Sequence, residues 1–321
     1  PLDRVPIPDR KYLPDMYTRK RQQLYCMDWR PVRMGNLFTG RGCPYRCAFC
    51  SSATFWGKVR LHSAARVVEE IEYLYREYGA EFVHIEDDLF AINKARVREV
   101  VEGLRGAGLL GKVKFGCQPR MNVVDDEMCE LLVLMGVVLV GVGFESGNEE
   151  MLKFLKGSDV SLDMAEAAVR TCKRYGLKVQ GSVILGNPGE TWAQMQDTRR
   201  FLDRLQAAGV DDVWPFIGTP LPGTKFWEYA EQRGLVGVDD NWDAWQFTRP
   251  NEERPALYDP SVSAERFKDF YFTIQALLEK RRPRPPLSYR LKRLPQMAGR
   301  AWRRPGVAWE VFKHRHLLNY E

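Results

Sequence analysis

Apolar residues recur along this chain in two alternating rhythms, and the alternation predicts the architecture. Short apolar runs of strand type cover residues 34–39, 82–86, 112–119, 137–144, 178–185 and 212–217. Between them lie stretches of helical period. After Ser63 a stripe of Val67, Val68, Ile71, Leu74, Tyr75 and Tyr78 runs to Gly79. After Asn93, the residues Val97, Val100, Val101 and Leu104 share one face, and further helices are expected over 125–135, 161–175 and 191–208. Ser63 suits an N-cap and Gly79 a left-handed C-cap. The run 137–144 is apolar or glycine almost throughout, as a strand covered on both faces requires.

Six strand–helix alternations imply right-handed crossovers and a parallel sheet. Six units are too few to close an eight-stranded barrel. The expected fold class is therefore α/β, a partial (β/α)6 TIM-like barrel, with a doubly wound open sheet as the alternative. In both, ligands gather at the C-terminal ends of the strands. Three segments are expected: an extended lead-in over 1–33, broken by Pro6, Pro8, Pro14 and Pro31; the barrel over 34–235; and a C-terminal extension over 236–321. The extension carries an amphipathic helix over 263–280, through Phe267, Phe270, Tyr271, Ile274, Leu277 and Leu278, and then a basic tail.

Directly after the first strand comes Arg41-Gly42-Cys43-Pro44-Tyr45-Arg46-Cys47-Ala48-Phe49-Cys50, a C-x3-C-x2-C run. Thiolates so closely spaced select a soft metal centre of iron–sulfur type. A structural zinc site calls for a fourth Cys or His at finger-like spacing. Here the nearest histidine is His62, and no second C-x2-C pair exists. A simple electron carrier requires four cysteine ligands. Three thiolates on a four-iron cubane leave one iron open for chemistry. The other cysteines, Cys26, Cys117, Cys129 and Cys172, are scattered and read as packing residues, with Cys117 beside the expected site. They form no module for an auxiliary cluster.

The spacing C-x3-C-x2-C, with the aromatic Phe49 before the last cysteine, resembles the signature of the radical S-adenosylmethionine (radical SAM) superfamily. The resemblance implies a partial barrel and a [4Fe–4S] cluster on Cys43, Cys47 and Cys50. It also implies that S-adenosyl-L-methionine fills the open iron site and is reductively cleaved to a 5′-deoxyadenosyl radical. An external reductant such as flavodoxin or ferredoxin is implied as well. Strand-end residues are then expected to grip the nucleotide: Glu86 or Asp87 at its ammonium, Arg120 at a carboxylate, and Glu145 and Ser146 at ribose hydroxyls. The fifth strand, with Ser182 and Gly186, would lie along the adenine. Structural alternatives stand beside these: a helix cap for one of the acids, an ion pair to Asp87 or Asp88 for Arg120, and a helix N-terminus for Glu145. Glu190, just after that strand, is given a structural role. The lead-in 2–10, the run Gly186-Asn187-Pro188-Gly189-Glu190-Thr191 and the Pro222-Gly223-Thr224 turn resemble the cobalamin-associated subgroup. No Asp-x-His-x-x-Gly cobalamin loop occurs, and His84 is not in such a context. Cobalamin-dependent methylation of a metabolite or lipid-like substrate is thus set against cobalamin-free rearrangement, oxidation or cyclisation, and against RNA modification.

Composition adds compartment and partners. The chain is 45% apolar and 28% charged, with a net charge of +6. No apolar run reaches membrane-spanning length, and the opening residues lack a secretory signal. The seven cysteines, an odd count, fit a reducing, cytoplasmic setting. Residues 280–321 hold twelve Lys/Arg against two Glu, a net of +10 that leaves the rest of the chain at −4. In that tail Trp302, Trp309, Phe312 and Leu317 are interleaved with cations. Such a composition suits either an anionic lipid surface or a solvated helix against the barrel edge. Nucleic acid is the weaker partner reading, because the final residues show no strand pattern of an RNA-binding barrel.

Overall fold

The computed structural model describes residues 2–13, 17, 22–237 and 255–287, with isolated positions between 241 and 250. Its main sheet has six strands: β1 (Met34–Leu37), β2 (Phe82–Ile85), β3 (Lys114–Cys117), β4 (Val137–Glu145), β5 (Lys178–Leu185) and β6 (Asp212–Ile217). All neighbours are parallel, and each strand lies beside its sequence neighbour from β1 to β6. A doubly wound sheet reverses its strand order at a switch point. This sheet never reverses, so it winds as a barrel, left open between β1 and β6.

The helices are α1 (Ala64–Tyr78), α2 (Lys94–Gly106), α3 (Asp126–Met135), α4 (Glu149–Lys156), α5 (Leu162–Arg174), α6 (Trp192–Ala208), α7 (Lys225–Glu231) and α8 (Ala264–Arg281); all but α4 and α7 lie where the apolar period places them. Their starts are set by side chains that accept the orphan N–H groups of the first turn. Ser63 accepts from Arg66 N, Asn93 from Ala95 N, Asp125 from Met128 N and Ser161 from Met164 N. Thr191 and Gln194 form a reciprocal capping box on α6. Outward strand residues such as Val83, Phe115, Val142 and Val183 join the helices in one core. Cys117, Cys129 and Cys172 belong to that core, with the last two sulfurs 4.0 Å apart across α3 and α5.

The lead-in is more than an extended segment. Residues Leu24, Tyr25, Cys26, Met27 and Val32 pack with Met34, Phe82, Val138 and Leu139 in a separate cluster. Met34 and Phe82 are the first residues of their strands, so this cluster stops the barrel at its N-terminal end. Further upstream the chain straps onto α1. Arg10 pairs with Glu70 at 2.6 Å, Arg66 pairs with the same carboxylate at 3.0 Å, and Asp3 accepts from Ser63 N at 2.9 Å. Proline spacing could not reveal this docking, because its partners lie some sixty residues away.

The C-terminal extension covers the loop after β5. Gly189 N donates to Leu257 O (2.8 Å) and Asp259 N to Glu190 O (3.0 Å). Tyr271 Oη, on α8, donates to Pro215 O of β6 at 3.1 Å. Among the described residues no helix is long and apolar enough to cross a membrane. The tail beyond residue 287, with Trp302, Trp309, Phe312 and Leu317, lies outside the described residues.

Two outcomes follow. Glu70→Ala should leave two buried guanidiniums unpaired and lower stability by about 3–5 kcal/mol in urea unfolding; an unchanged midpoint would show that the strap contributes nothing. Glu190 is wholly buried, accepts from Gly186 N and Asn187 N at 2.8 and 3.0 Å, and is pushed up to about 7 by that burial. The folded chain keeps this proton up to about 7, whereas the unfolded chain releases it near 4.5. Its contribution to stability therefore falls as pH rises through that window. Glu190→Gln should flatten this part of the profile of unfolding midpoint against pH, and parallel profiles for the two proteins would contradict it.

Candidate functional site

The three cysteines lie at the open, C-terminal end of β1, on a loop whose backbone is tied at several points. A two-stranded pair, Gly40–Arg41 with Arg60–Leu61, forms its base. Gly42 has φ +87, and a Cβ there would come within 2.9 Å of Lys58 O. Only glycine fits that turn without strain. Gly42 N donates to Asp88 Oδ2 at 2.9 Å, Cys50 N to Cys47 O at 3.1 Å, and Ala48 N to Leu155 O at 2.8 Å. A short helical turn, Ser52–Trp56, follows, and Ser52 N points at Cys50 Sγ (3.5 Å).

Cys43, Cys47 and Cys50 are free and half-buried. Burial pushes all three thiols up, and the charges of Arg120 or Lys156 oppose that rise. A bound cluster would replace those protons and repay the desolvation. Among the described residues no three His, Cys, Asp or Glu side chains converge closely enough for one metal ion. A cubane takes its thiolates at separate corners. The donor set, three thiols near two cations, fits an iron–sulfur cluster with one iron free of protein.

Around this loop the strand ends sort into different roles. On β2, His84 and Glu86 share a face by period-two alternation, and His84 Nδ1 lies 3.3 Å from Glu86 Oε1. Glu86 remains partly exposed. Asp87, the other acid expected at the nucleotide's ammonium, anchors backbone. It accepts from Thr39 N at 2.5 Å, from Gly40 N at 3.1 Å and from the Thr39 hydroxyl. Where β1 ends, those N–H groups lose their ladder partners, and a buried carboxylate satisfies them. Burial raises the Asp87 carboxyl despite these bonds.

Arg120 pairs with Asp159 and not with Asp87 or Asp88, so the ion pair weighed for it has a different partner. Its guanidinium grips Asp159 with two nitrogens, donates to Lys156 O at 2.6 Å and lies 3.9 Å over the Tyr45 ring. Asn122 Nδ2 donates to Tyr45 Oη at 3.1 Å and to Asp159 at 2.9 Å. Tyr45 stands between the first two cysteines. The network therefore clamps the loop to the end of α4.

Glu145 has φ 62, a left-handed conformation that in a non-glycine residue costs about 1–3 kcal/mol. Its carboxylate is buried and accepts from Lys156 Nζ at 3.0 Å, while the same ammonium donates to Gly143 O at 2.8 Å. It does not cap the following helix; Asn148 does. The Ser146 hydroxyl is fully buried, accepts from Asn148 N at 3.2 Å and lies 3.4 Å from the Thr198 hydroxyl, so it serves the start of α4. Ser182 is half-buried on β5, in register with Gly143 of β4 and Trp214 of β6. At Gly186 a Cβ would meet Phe267 at 2.9 Å and Tyr258 at 3.1 Å. The close approach its glycine permits is to these rings. Phe49 is half-buried and meets Phe226 edge-on, with centroids 6.3 Å apart.

Sequence reasoning missed Lys156 and Asp159. Each looks like a surface charge at a helix end, and the available hint, Lys156 directly before Gly157, is common to helix C-termini in general.

The family model described as the radical SAM superfamily matches residues 37–202. An uncharacterised methyltransferase of Pyrococcus horikoshii is 34% identical over 242 residues, covering 75% of this chain and 49% of that protein. Cytidylyl-2-hydroxyethylphosphonate methyltransferase of Streptomyces wedmorensis is 27% identical, covering 73% of this chain and 44% of that protein. The anaerobic magnesium-protoporphyrin IX monomethyl ester cyclase of Cereibacter sphaeroides is 29% identical, covering 70% and 36%. This chain thus spans about half or less of the length of these relatives. Among solved structures, the radical S-adenosylmethionine methyltransferase TsrM of Kitasatospora setae, with cobalamin and a [4Fe–4S] cluster bound, shares the fold at TM-score 0.57 and 22% identity. That alignment covers 79% of this chain and 51% of that one.

If the clamp positions the loop, Arg120→Ala should lower iron and sulfide uptake in anaerobic reconstitution while the helical circular dichroism stays unchanged. Arg120→Lys, which cannot form the two-nitrogen grip, should recover little of the loss. Full loading of both variants would contradict the clamp.

Proposed function

The chain belongs to the radical SAM superfamily, and from that premise we propose that it catalyses methyl transfer to an unactivated carbon of a small organic substrate, with cobalamin as the methyl carrier. Membership brings a [4Fe–4S] cluster and S-adenosylmethionine. Bound here, the pair supplies reductive carbon–sulfur cleavage and hydrogen abstraction. The observation that carries the assignment is the set of three free thiols on one tethered loop at the barrel mouth. The transfer reading draws on the relatives named as methyltransferases and on the cobalamin-bound structure of like fold.

In this reading Cys43, Cys47 and Cys50 hold the cluster and Arg120 orients their loop. Glu86 receives the nucleotide's ammonium, because Asp87 is consumed by backbone and Asp88 is bonded to Gly42 N. A partly exposed carboxylate suits that cation. Glu145, held by Lys156, faces the sugar hydroxyls, and its strained backbone supports a role beyond packing. Ser182 and Phe49 line the adenine side. The apolar stopper at the N-terminal end keeps water from entering beneath the reactive centre. An external one-electron donor and a small-molecule substrate complete the reaction, and the seven free cysteines favour a reducing, cytoplasmic compartment.

Reconstituted anaerobically and reduced with dithionite, the protein should convert S-adenosylmethionine to 5′-deoxyadenosine and S-adenosylhomocysteine together when cobalamin and substrate are supplied. Deoxyadenosine alone, with or without cobalamin, would replace methyl transfer by a cobalamin-free rearrangement or cyclisation. Cys43→Ala, Cys47→Ala and Cys50→Ala should each abolish both products, and turnover in any of them would reject the cluster assignment.

A further inference from the structure

The cysteine loop carries a charge pattern that its tethers do not use. Between Gly40 and Leu61 the chain has four cations, Arg41, Arg46, Lys58 and Arg60, and no Asp or Glu. Arg46 and Lys58 are exposed, and among the described residues none of the four has a carboxylate partner. Elsewhere in the fold, cations such as Arg66, Arg120, Lys156, Arg174 and Arg204 are paired. Arg41 and Arg60 instead flank the Trp56 ring, at 5.2 and 5.7 Å from its centroid. Phe55 stands edge-on to that tryptophan at 4.8 Å and is 75% exposed. Asp88, the carboxylate bonded to this hairpin, is held by the Gly42 N–H and neutralises none of the four.

Other approaches to the loop are taken. Ala48 is bonded to Leu155 of α4 on one side and accepts from Phe226 N of α7 at 3.3 Å on the other. Tyr45 lies under the Arg120 clamp. Among the described residues, Arg46, Phe55 and Lys58 of this segment stay exposed. Unpaired cations around an exposed aromatic ring fit an acidic surface: the charges steer encounter, and the ring offers a small dry contact.

We infer that Arg41, Arg46, Phe55, Trp56, Lys58 and Arg60 form the docking face for a small acidic electron-carrier protein. The inference rests on the cluster assignment proposed above. One electron leaves the donor, whose flavin hydroquinone becomes the semiquinone, and enters the cluster. No bond of this chain forms or breaks.

The test uses the full chain, anaerobically reconstituted, in stopped-flow mixing with a flavodoxin held as its hydroquinone, across a range of ionic strength. Arg46→Glu/Lys58→Glu and Lys58→Glu alone are compared with the wild type after iron and sulfide are shown to be equal. The double variant should be reduced by flavodoxin about tenfold or more slowly at low salt, with most of the salt dependence gone. Lys58→Glu should fall in between, and reduction of all three by dithionite should be alike. Equal flavodoxin rates at equal loading would overturn the docking face and leave the cluster assignment standing. A single-stranded RNA that binds the wild type at this face, and blocks nothing in flavodoxin reduction, would reassign the face to nucleic acid. A wild type that takes up no iron–sulfur cluster would remove the assignment beneath both.

Discussion

The grip of the Arg120 guanidinium on Asp159, Lys156 O and the Tyr45 ring is the contact on which this architecture depends. A parallel barrel ends in loops whose N–H and C=O groups have no ladder to join, so the mouth is the least ordered part of the fold unless something else ties it. Here the cysteine loop is tied from three directions. Asp88 holds Gly42, Leu155 O holds Ala48, and the Arg120 network holds Tyr45. Charge-assisted and planar, the guanidinium bond is the strongest of the three in kind. Three thiols on a free loop would bind a cluster only after paying for loop order. On this loop, much of that order is present beforehand.

The buried pair of Glu145 and Lys156 extends the same logic. An ammonium and a carboxylate at 3.0 Å, both largely removed from water, join the last residue of α4 to the last residue of β4. Neither is needed to start the helix, because Asn148 and Ser146 do that. Their joint effect is to fix a left-handed carboxylate beside Cys47 and Cys50, whose thiols feel both charges. Strain retained beside the cysteine loop is consistent with function there.

How much of this was legible beforehand depends on the range of the interactions. β5 and β6 run over 178–185 and 212–217, as periodicity placed them, and the cap at Ser63 was visible because a cap acts within three residues. The cysteine spacing was legible for the same reason. The bonds that Asp87 and Arg120 make were not legible, because their partners, Thr39 and Asp159, are about forty to fifty residues away. The packing at Gly186 was hidden as well: nothing local announces that Tyr258 and Phe267 stand against it. The lead-in was read from its prolines as extended, yet Arg10 finds Glu70 across sixty residues and buries it. Local chemistry was thus readable, and ownership of the polar groups at the strand ends was not.

The central claim is that Cys43, Cys47 and Cys50 hold a cubane with one iron left open for the nucleotide. Electron paramagnetic resonance of the anaerobically reconstituted, reduced protein, recorded before and after adding S-adenosylmethionine, tests it most directly. The account predicts a reduced [4Fe–4S] signal whose g-values shift when the nucleotide is added. A signal indifferent to the nucleotide, or protein that carries zinc in place of iron and sulfide, would contradict it.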